Sequence, residues 1–413
     1  MAAPSYRHRS IEPLLAQAIR EFPLVVLTGP RQSGKTTLLQ TLYGKRYRYV
    51  SLDPLHTRQF ANKDPELFLE ENNPPVIIDE IQYAPALLSY IKLWVDRHRR
   101  LRGQFLLTGS QQFPLMQGVS ESLAGRAAIL TLLPMSWAER LGDPKIKNHL
   151  WGRRPARAGA FAPPKALDLA QSWIRGSFPQ MILEPKRNAS LWYASYIQTY
   201  VERDVRTLRA VGDLGGFQDF LQSLAIRNAQ ILNLSELARS LGVAVNTAKA
   251  WLRVLEASHQ IRLVRPYYRN KGKRLVKAPK VYFMDSGLVC HLTGVNDADQ
   301  ALKGPTAGAL METCVFGEIY RYFMNRGLLA PIYYWRTPQG DEVDFVIETA
   351  QRITALEVKL TKTPNWRQAE GIDKLRKVYS TEFGKGFVVC LADEKIPLGR
   401  FCDAVPFSWV TGI

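Results

Sequence analysis

Gly29-Pro30-Arg31-Gln32-Ser33-Gly34-Lys35-Thr36 is the stretch on which the fold turns. It matches GxxxxGK[ST] at every fixed position. Pro23 to Thr28 (PLVVLT) precedes it as a buried strand, and Thr36 to Leu42 opens a helix behind it. Strand, loop and helix are the setting that a phosphate-binding loop requires. Gly29 and Gly34 let the backbone curl until its N–H groups face phosphate oxygens. The helix N-terminus adds a favourable dipole. Lys35 is placed to reach the β- and γ-phosphates of ATP, and the Thr36 hydroxyl to ligate Mg²⁺. Pro30, Arg31, Gln32 and Ser33 complete the loop, and Thr37 extends the expected ATP contacts into the first helical turn.

Downstream, Tyr47 to Leu52 (YRYVSL), Pro75 to Ile78 (PVII) and Gln104 to Thr108 (QFLLT) read as further strands, with an amphipathic helix from Leu87 to Arg99. Strands alternating with helices predict a parallel sheet covered on both faces. The third strand runs into Asp79-Glu80. That pattern sets Asp79 beside the metal and Glu80 where it orients the attacking water. A plain acidic turn at a strand end is the other reading. Asp53 is read as a turn residue.

The chain of 413 residues is long enough for two to four domains, and its 46% apolar content suffices for sizeable cores. Its 55 Lys and Arg against 37 Asp and Glu leave a formal charge of +18, which favours a polyanionic partner. No apolar run approaches the roughly 18–20 residues that span a bilayer, so no membrane partner is expected. Arg7, His8 and Arg9 have no apolar stretch behind them, and no signal peptide is read. Cys290, Cys314, Cys390 and Cys402 are scattered without a CxxC pair, as reduced core cysteines of a cytoplasmic protein would be. No histidines cluster with them, so no zinc site is expected.

Four segments follow: 1–150, a nucleotide-binding core; 151–224, a Pro/Gly/Arg-rich connection and a helical lid; 225–303, a winged helix with a basic wing; and 304–413, a final α/β unit. Asn233-Leu-Ser-Glu236 predicts a capping box, with Glu236 reaching back. Gly242 separates that helix from a second, from about Asn246 to Ala257, in a helix-turn-helix pattern. The second helix presents Asn246, Thr247, Lys249 and Arg253 as polar candidates for DNA contact and turns Ala248, Trp251, Leu252 and Leu255 inward. The wing is expected as a strand from Gln260 to Tyr268, a turn at Asn270-Lys-Gly-Lys273, and a return from Leu275 to Phe283. From Ala257 to Met284 there is no acidic residue, while Arg269, Lys271, Lys273 and Arg274 crowd the turn. Such density suits phosphate-backbone contacts, with Tyr267 and Tyr268 available to stack on bases. A winged helix serving a protein interface is the alternative.

In the last unit, Glu312 and Glu318 fall on one helix, Asp344 on a strand from Glu342 to Glu348, and Glu357-Val-Lys359 on the next. Residues two apart on a strand face the same side. A helix acid, an Asp and then Glu-x-Lys resemble the PD-(D/E)xK nuclease core. That resemblance implies Mg²⁺ held by Asp344 and Glu357, with Lys359 steadying the nucleophile or the phosphate. Docking without cleavage stays open for this unit.

The motifs GPRQSGKTTL, SLDP, VIIDEIQ, FLLTGSQQ, SLAGR, LLPMSWAE, GSFP, YVERDV, KVYFMDSGL, GALMET and DEVDFVI with LEVK span nearly the whole chain. Together they resemble a family of bacterial and archaeal AAA+ ATPases joined to a C-terminal domain of unknown function. The fold class is therefore α/β: a P-loop AAA+ domain with a helical lid, a winged helix and a restriction-endonuclease-like domain. The resemblance implies ATP hydrolysis, with Thr108 or Ser110 touching the γ-phosphate or water, or else merely capping the strand. It also implies that Arg126 is an arginine finger reaching a neighbour's γ-phosphate, the alternative being a surface arginine. ATP then sits between subunits of a ring, expected as a hexamer. Gly176 and Pro179 stand for a Gly-x-Pro lid segment with an extra residue between them. The expected function is ATP-driven action on DNA, with a metal-dependent nuclease site. A nucleotide-switched signalling or defence regulator acting through a protein partner is the alternative.

Overall fold

A computed structural model describes residues 6–109, 123–143, 164–201, 205, 212–350 and 352–411. Ser110, most of the Pro/Gly/Arg-rich connection and Glu202, Arg203 and Asp204 of YVERDV lie outside them.

Five parallel strands form the first sheet: β1 (Leu24–Thr28), β2 (Arg48–Ser51), β3 (Val76–Asp79), β4 (Phe105–Thr108) and β5 (Ala127–Thr131), in the order β2-β3-β4-β1-β5. The continuous apolar runs are buried on both faces, as expected of a sheet covered on two sides. Leu24, Val26, Ile78 and Phe105 enter one core, whereas Val25, Leu27, Ile77 and Leu106 enter another with Ile11 and Leu15 of the N-terminal segment. Because β1 lies between β4 and β5, its C-terminal end delivers the phosphate-binding loop between the ends of those two strands. The edge strand β5 is absent from the sequence reading: Ala127 and Ala128 lack the β-branched or aromatic character that marks strands.

The second sheet has eight strands in the order β12-β13-β11-β10-β9-β8-β6-β7. They are β6 (Ile261–Pro266), β7 (Lys280–Phe283), β8 (Ile332–Arg336), β9 (Glu342–Thr349), β10 (Arg352–Val358), β11 (Phe383–Cys390), β12 (Ile396–Pro397) and β13 (Cys402–Pro406). The β6–β7 hairpin follows the helices Leu234–Ser240 and Val245–Ala257 and joins the C-terminal strands through β6 and β8, at Arg265↔Tyr333 and Pro266↔Tyr334. One core runs from Trp173 and Tyr193 of the helices Ala166–Arg175 and Ala189–Tyr200 through Trp251 and Leu255 to Phe316 and Phe345. The hairpin expected as part of 225–303 is thus also packed into the final unit.

Two local readings change. Asn233 does cap its helix, accepting from Glu236 N at 3.2 Å, but Glu236 meets the Asn233 side-chain amide at 3.1 Å rather than closing a capping box. The turn expected at 270–273 is a short helix, Lys271–Val276, begun by Asn270 accepting from Gly272 N at 2.9 Å. The four cysteines are free, three of them buried, as the scattered spacing predicted.

Candidate functional site

The phosphate-binding loop owes its path to close approaches. Gly29 has φ 138°, and a Cβ there would lie 2.2 Å from the Leu132 carbonyl oxygen. Gly34, at φ 93°, heads the helix Lys35–Tyr43 in a left-handed conformation. Lys35 is buried and its Nζ donates to the carbonyls of Gly29 (3.1 Å) and Pro30 (2.9 Å), which hold the ammonium over the loop. The buried Ser33 hydroxyl has no protein partner.

Asp79 is the hub of the site. It accepts from Thr36 Oγ1 at 3.0 Å, from Tyr49 Oη at 2.9 Å and from the Thr108 hydroxyl. Thr108 in turn accepts from Glu80 N at 3.1 Å, so one fully buried hydroxyl ties the ends of β3 and β4 together. Glu80 itself adopts φ 59°, a left-handed conformation uncommon for a non-glycine residue and frequent at functional sites. The Gln82 amide donates to its carboxylate. Burial, then the Asp79 charge, push the Tyr49 phenol well above its ordinary range, so it stays a donor. An alcohol and a carboxylate in contact are oxygen donors suited to a hard cation. With the orphan Ser33 hydroxyl and the glycine-shaped cradle beside them, these residues fit Mg²⁺ and nucleotide phosphates.

A cleft of about 540 Å³ opens over this site. Lys35, Thr36, Thr37 and Glu80 line one side, and Pro179, Gln180 and Leu183 the other, so the GSFP segment does approach the loop. Arg9, read in the sequence only as part of the N-terminal basic stretch, is buried against the loop. It donates to Ser33 O (2.9 Å) and Leu133 O (2.6 Å) and pairs with Glu139 at 3.2 Å. Arg126 does not line this cleft. Its guanidinium makes a two-point pair with Asp96, at 2.7 and 3.1 Å, both groups being about one-third exposed.

The helix Val245–Ala257 buries Ala248, Trp251, Leu252 and Leu255 as expected. It leaves Asn246, Lys249 and Arg253 exposed and Thr247 half-buried. The basic hairpin departs from expectation. Arg274 is buried, pairs with Glu348 at 2.7 Å and lies 4.4 and 4.5 Å from the ring centres of Tyr267 and Tyr333. It is therefore a packing residue and not a phosphate contact. Tyr267 is buried too and offers no face to a base. Arg269 pairs with Glu382 at 2.8 Å while staying exposed. Lys271, Lys273 and Lys277 remain on the surface. The acid-free stretch thus finds its acids elsewhere in the chain.

The C-terminal carboxylates do converge. Asp344 Oδ2 accepts from Val358 N at 2.8 Å, and Glu357 Oε1 pairs with Lys359 at 2.6 Å while Oε2 is buried without a partner. Burial, then Asp344, push the Glu357 carboxyl up to about 8, and the same two causes push Glu312 to about 7. The unforeseen member is Lys280, buried, with Nζ 2.5 Å from Glu342, 3.1 Å from Glu312 and 3.6 Å from Asp344. Among the described residues no three His, Cys, Asp or Glu side chains are arranged to hold a metal. The metal expected at Asp344 and Glu357 does not fit, because the Lys280 ammonium already sits among the carboxylates where a cation would lie. Glu318 lies apart from it, paired with Arg321 at 3.2 Å and accepting from Trp137 N at 3.1 Å.

Comparison with known proteins agrees with the first sheet and its loop. A family model described as an AAA domain matches residues 21–141, and models of two domains of unknown function match 166–299 and 307–410. Uncharacterized protein Rv2008c of Mycobacterium tuberculosis is 32% identical over 398 residues, covering 95% of this chain and 82% of that protein. Uncharacterized protein Mb2031c of Mycobacterium bovis matches with the same figures. The chain belongs to one family with these two mycobacterial proteins, and its residues 21–141 are an AAA domain. A Walker-type ATPase of Pyrococcus abyssi, PABY2304, is similar at 16% identity and a TM-score of 0.45, over 71% of this chain and 99% of that one. No helix among the described residues is long and apolar enough to cross a membrane.

Proposed function

We propose that this AAA-domain protein hydrolyses ATP with Mg²⁺ and uses the energy to act on DNA. The convergence of Thr36, Tyr49 and Thr108 on Asp79, with Glu80 beside them, is the observation that carries the reading. Thr36 and Asp79 would hold Mg²⁺, which supplies charge neutralisation on the phosphates. The loop N–H groups and Lys35 bind the remaining phosphate charge. Glu80 orients water for in-line attack, and Thr108 keeps its backbone in register with Asp79.

Assembly into a ring, a hexamer in the simplest form, would let Arg126 exchange Asp96 for a neighbour's nucleotide. The helix Val245–Ala257 with Lys249 and Arg253, read as the recognition helix of a winged helix, would meet the DNA backbone, and the exposed Lys271 and Lys273 would add phosphate contacts. A cytoplasmic location suits this work. The last unit, for which a nuclease-like fold remains the sequence reading, serves as a scaffold in this proposal.

The test is ATP turnover with Mg²⁺ alone and with single-stranded, duplex, forked and four-way DNA. Wild type is expected to turn over ATP and to accelerate with at least one DNA form. Glu80→Gln should bind ATP and lose turnover. A Glu80→Gln chain with the wild-type rate would remove Glu80 from the water-orienting role. A rate indifferent to every DNA form would move the partner from DNA to protein.

A further inference from the structure

The buried cluster beneath the helix Ala307–Met324 draws on elements far apart in sequence. Lys280 opens β7, Glu312 comes from the helix, and Glu342 and Asp344 stand two apart on β9 and so share a face. The Lys280 ammonium, 3% exposed, meets all three acids at 2.5 to 3.6 Å. Tyr282, two residues along β7, donates its hydroxyl to Glu312. The other oxygen of Asp344 is taken by the Val358 N–H, and Glu357 is paired with Lys359.

A divalent cation between Asp344 and Glu357 would need about six oxygen ligands at roughly 2.0–2.6 Å. Here it would meet an ammonium 3.6 Å from one of its two carboxylates, and two like charges at such range repel strongly out of water. The lysine cannot simply be left unpaired either, since a buried charge without partners is costly.

We infer that Lys280 is the resident cation of this cluster: its ammonium stands in for the divalent metal, making the cluster an ion lock between β7, the helix Ala307–Met324 and β9. The lock holds the β6–β7 hairpin, and with it the helix Val245–Ala257, onto the C-terminal sheet. It follows that the full chain has no metal-dependent phosphodiesterase centre here. This inference stands independently of the ATPase reading, because it concerns residues outside the nucleotide cleft.

The experiment is calorimetric titration of the full chain with Mn²⁺, without nucleotide, in wild type, Asp344→Asn, Lys280→Met and the Lys280→Met/Asp344→Asn double variant. Wild type and Asp344→Asn are expected to give superimposable curves. Lys280→Met, which keeps most of the unbranched stem and removes the charge, should gain a Mn²⁺ site that the double variant loses. Mn²⁺ binding by wild type that disappears in Asp344→Asn would overturn the inference. So would a folded Lys280→Met chain that gains no site. If Lys280→Met fails to fold, melting of wild type and Asp344→Asn with and without Mn²⁺ decides. An equal response of the two melting temperatures to Mn²⁺, to which Thr36 and Asp79 contribute alike in both, supports the lock, and a Mn²⁺-dependent rise confined to wild type refutes it.

Discussion

At the residue scale, two carboxylate centres in one chain have opposite fates. Asp79 is served by hydroxyls from Thr36, Tyr49 and Thr108, which donate to it and leave its charge available to a cation. The C-terminal acids are instead buried against one another and against lysines. Glu357 is pushed up to about 8 by burial and by Asp344, with Lys359 and Glu312 also facing it, and Glu312, beside Lys280, Tyr282 and Asp344, is raised to about 7. A carboxyl whose folded pKa is raised binds its proton more tightly folded than unfolded. Its contribution to stability is complete below the unfolded value, near 4.3, and is lost as pH rises through the folded one. The melting temperature is therefore expected to fall between about pH 5 and pH 8. Glu357→Gln should flatten that fall, which a thermal-melt series across this range reads directly. A wild-type curve rising with pH in the same window would contradict the assignment.

At the scale of elements, the helix Val245–Ala257 and the hairpin after it divide the work that the sequence assigned to both. The helix turns Trp251 and Leu255 inward and Lys249 and Arg253 outward. The hairpin spends Arg274 and Lys280 on internal ion pairs. Lys249→Ala with Arg253→Ala is expected to weaken DNA binding to all sequences alike and to reduce the salt slope by about 2. Arg274→Ala should leave that slope unchanged and lower the melting temperature, since it strands Glu348 and removes a cation from between two tyrosine rings. Salt-dependent binding curves for both variants separate the two roles. An Arg274→Ala chain of native stability with a reduced slope would reverse them.

At the scale of the whole molecule, the nucleotide cleft is roofed by the segment that anchors the rest of the chain. Ser177 N donates to Asp285 at 2.6 Å, Arg321 reaches Ser177 Oγ at 2.9 Å, and two residues on from Ser177 stands Pro179 in the cleft wall. Assembly adds a further partner in the proposed ring. Arg126 is held by Asp96 at the surface, where solvent and salt screen the pair and let it be exchanged. Mixing Lys35→Ala subunits, which retain Arg126, with Arg126→Ala subunits is expected to restore turnover that neither has alone. Full activity from a strictly monomeric chain would defeat this expectation.

The loop, Asp79, Glu80 and four of the five strands of the first sheet were legible in the sequence. Their chemistry is local: a fixed glycine spacing, apolar runs and acids at a strand end stand in one continuous stretch. The strand assignments for β9 and β10 were legible for the same reason. What stayed hidden depends on distant neighbours. Tyr49 reaches Asp79 only because β2 lies beside β3, and Arg9 reaches Ser33 only because the N-terminal segment packs under the loop. The acid-free run from Ala257 to Met284 signalled a basic surface, yet its acids come from β9, the helix Ala307–Met324 and Glu382. Whether a lysine binds a phosphate or fills a core is decided by which carboxylates the tertiary fold brings within a few ångströms, because a buried charge persists only where it is paired.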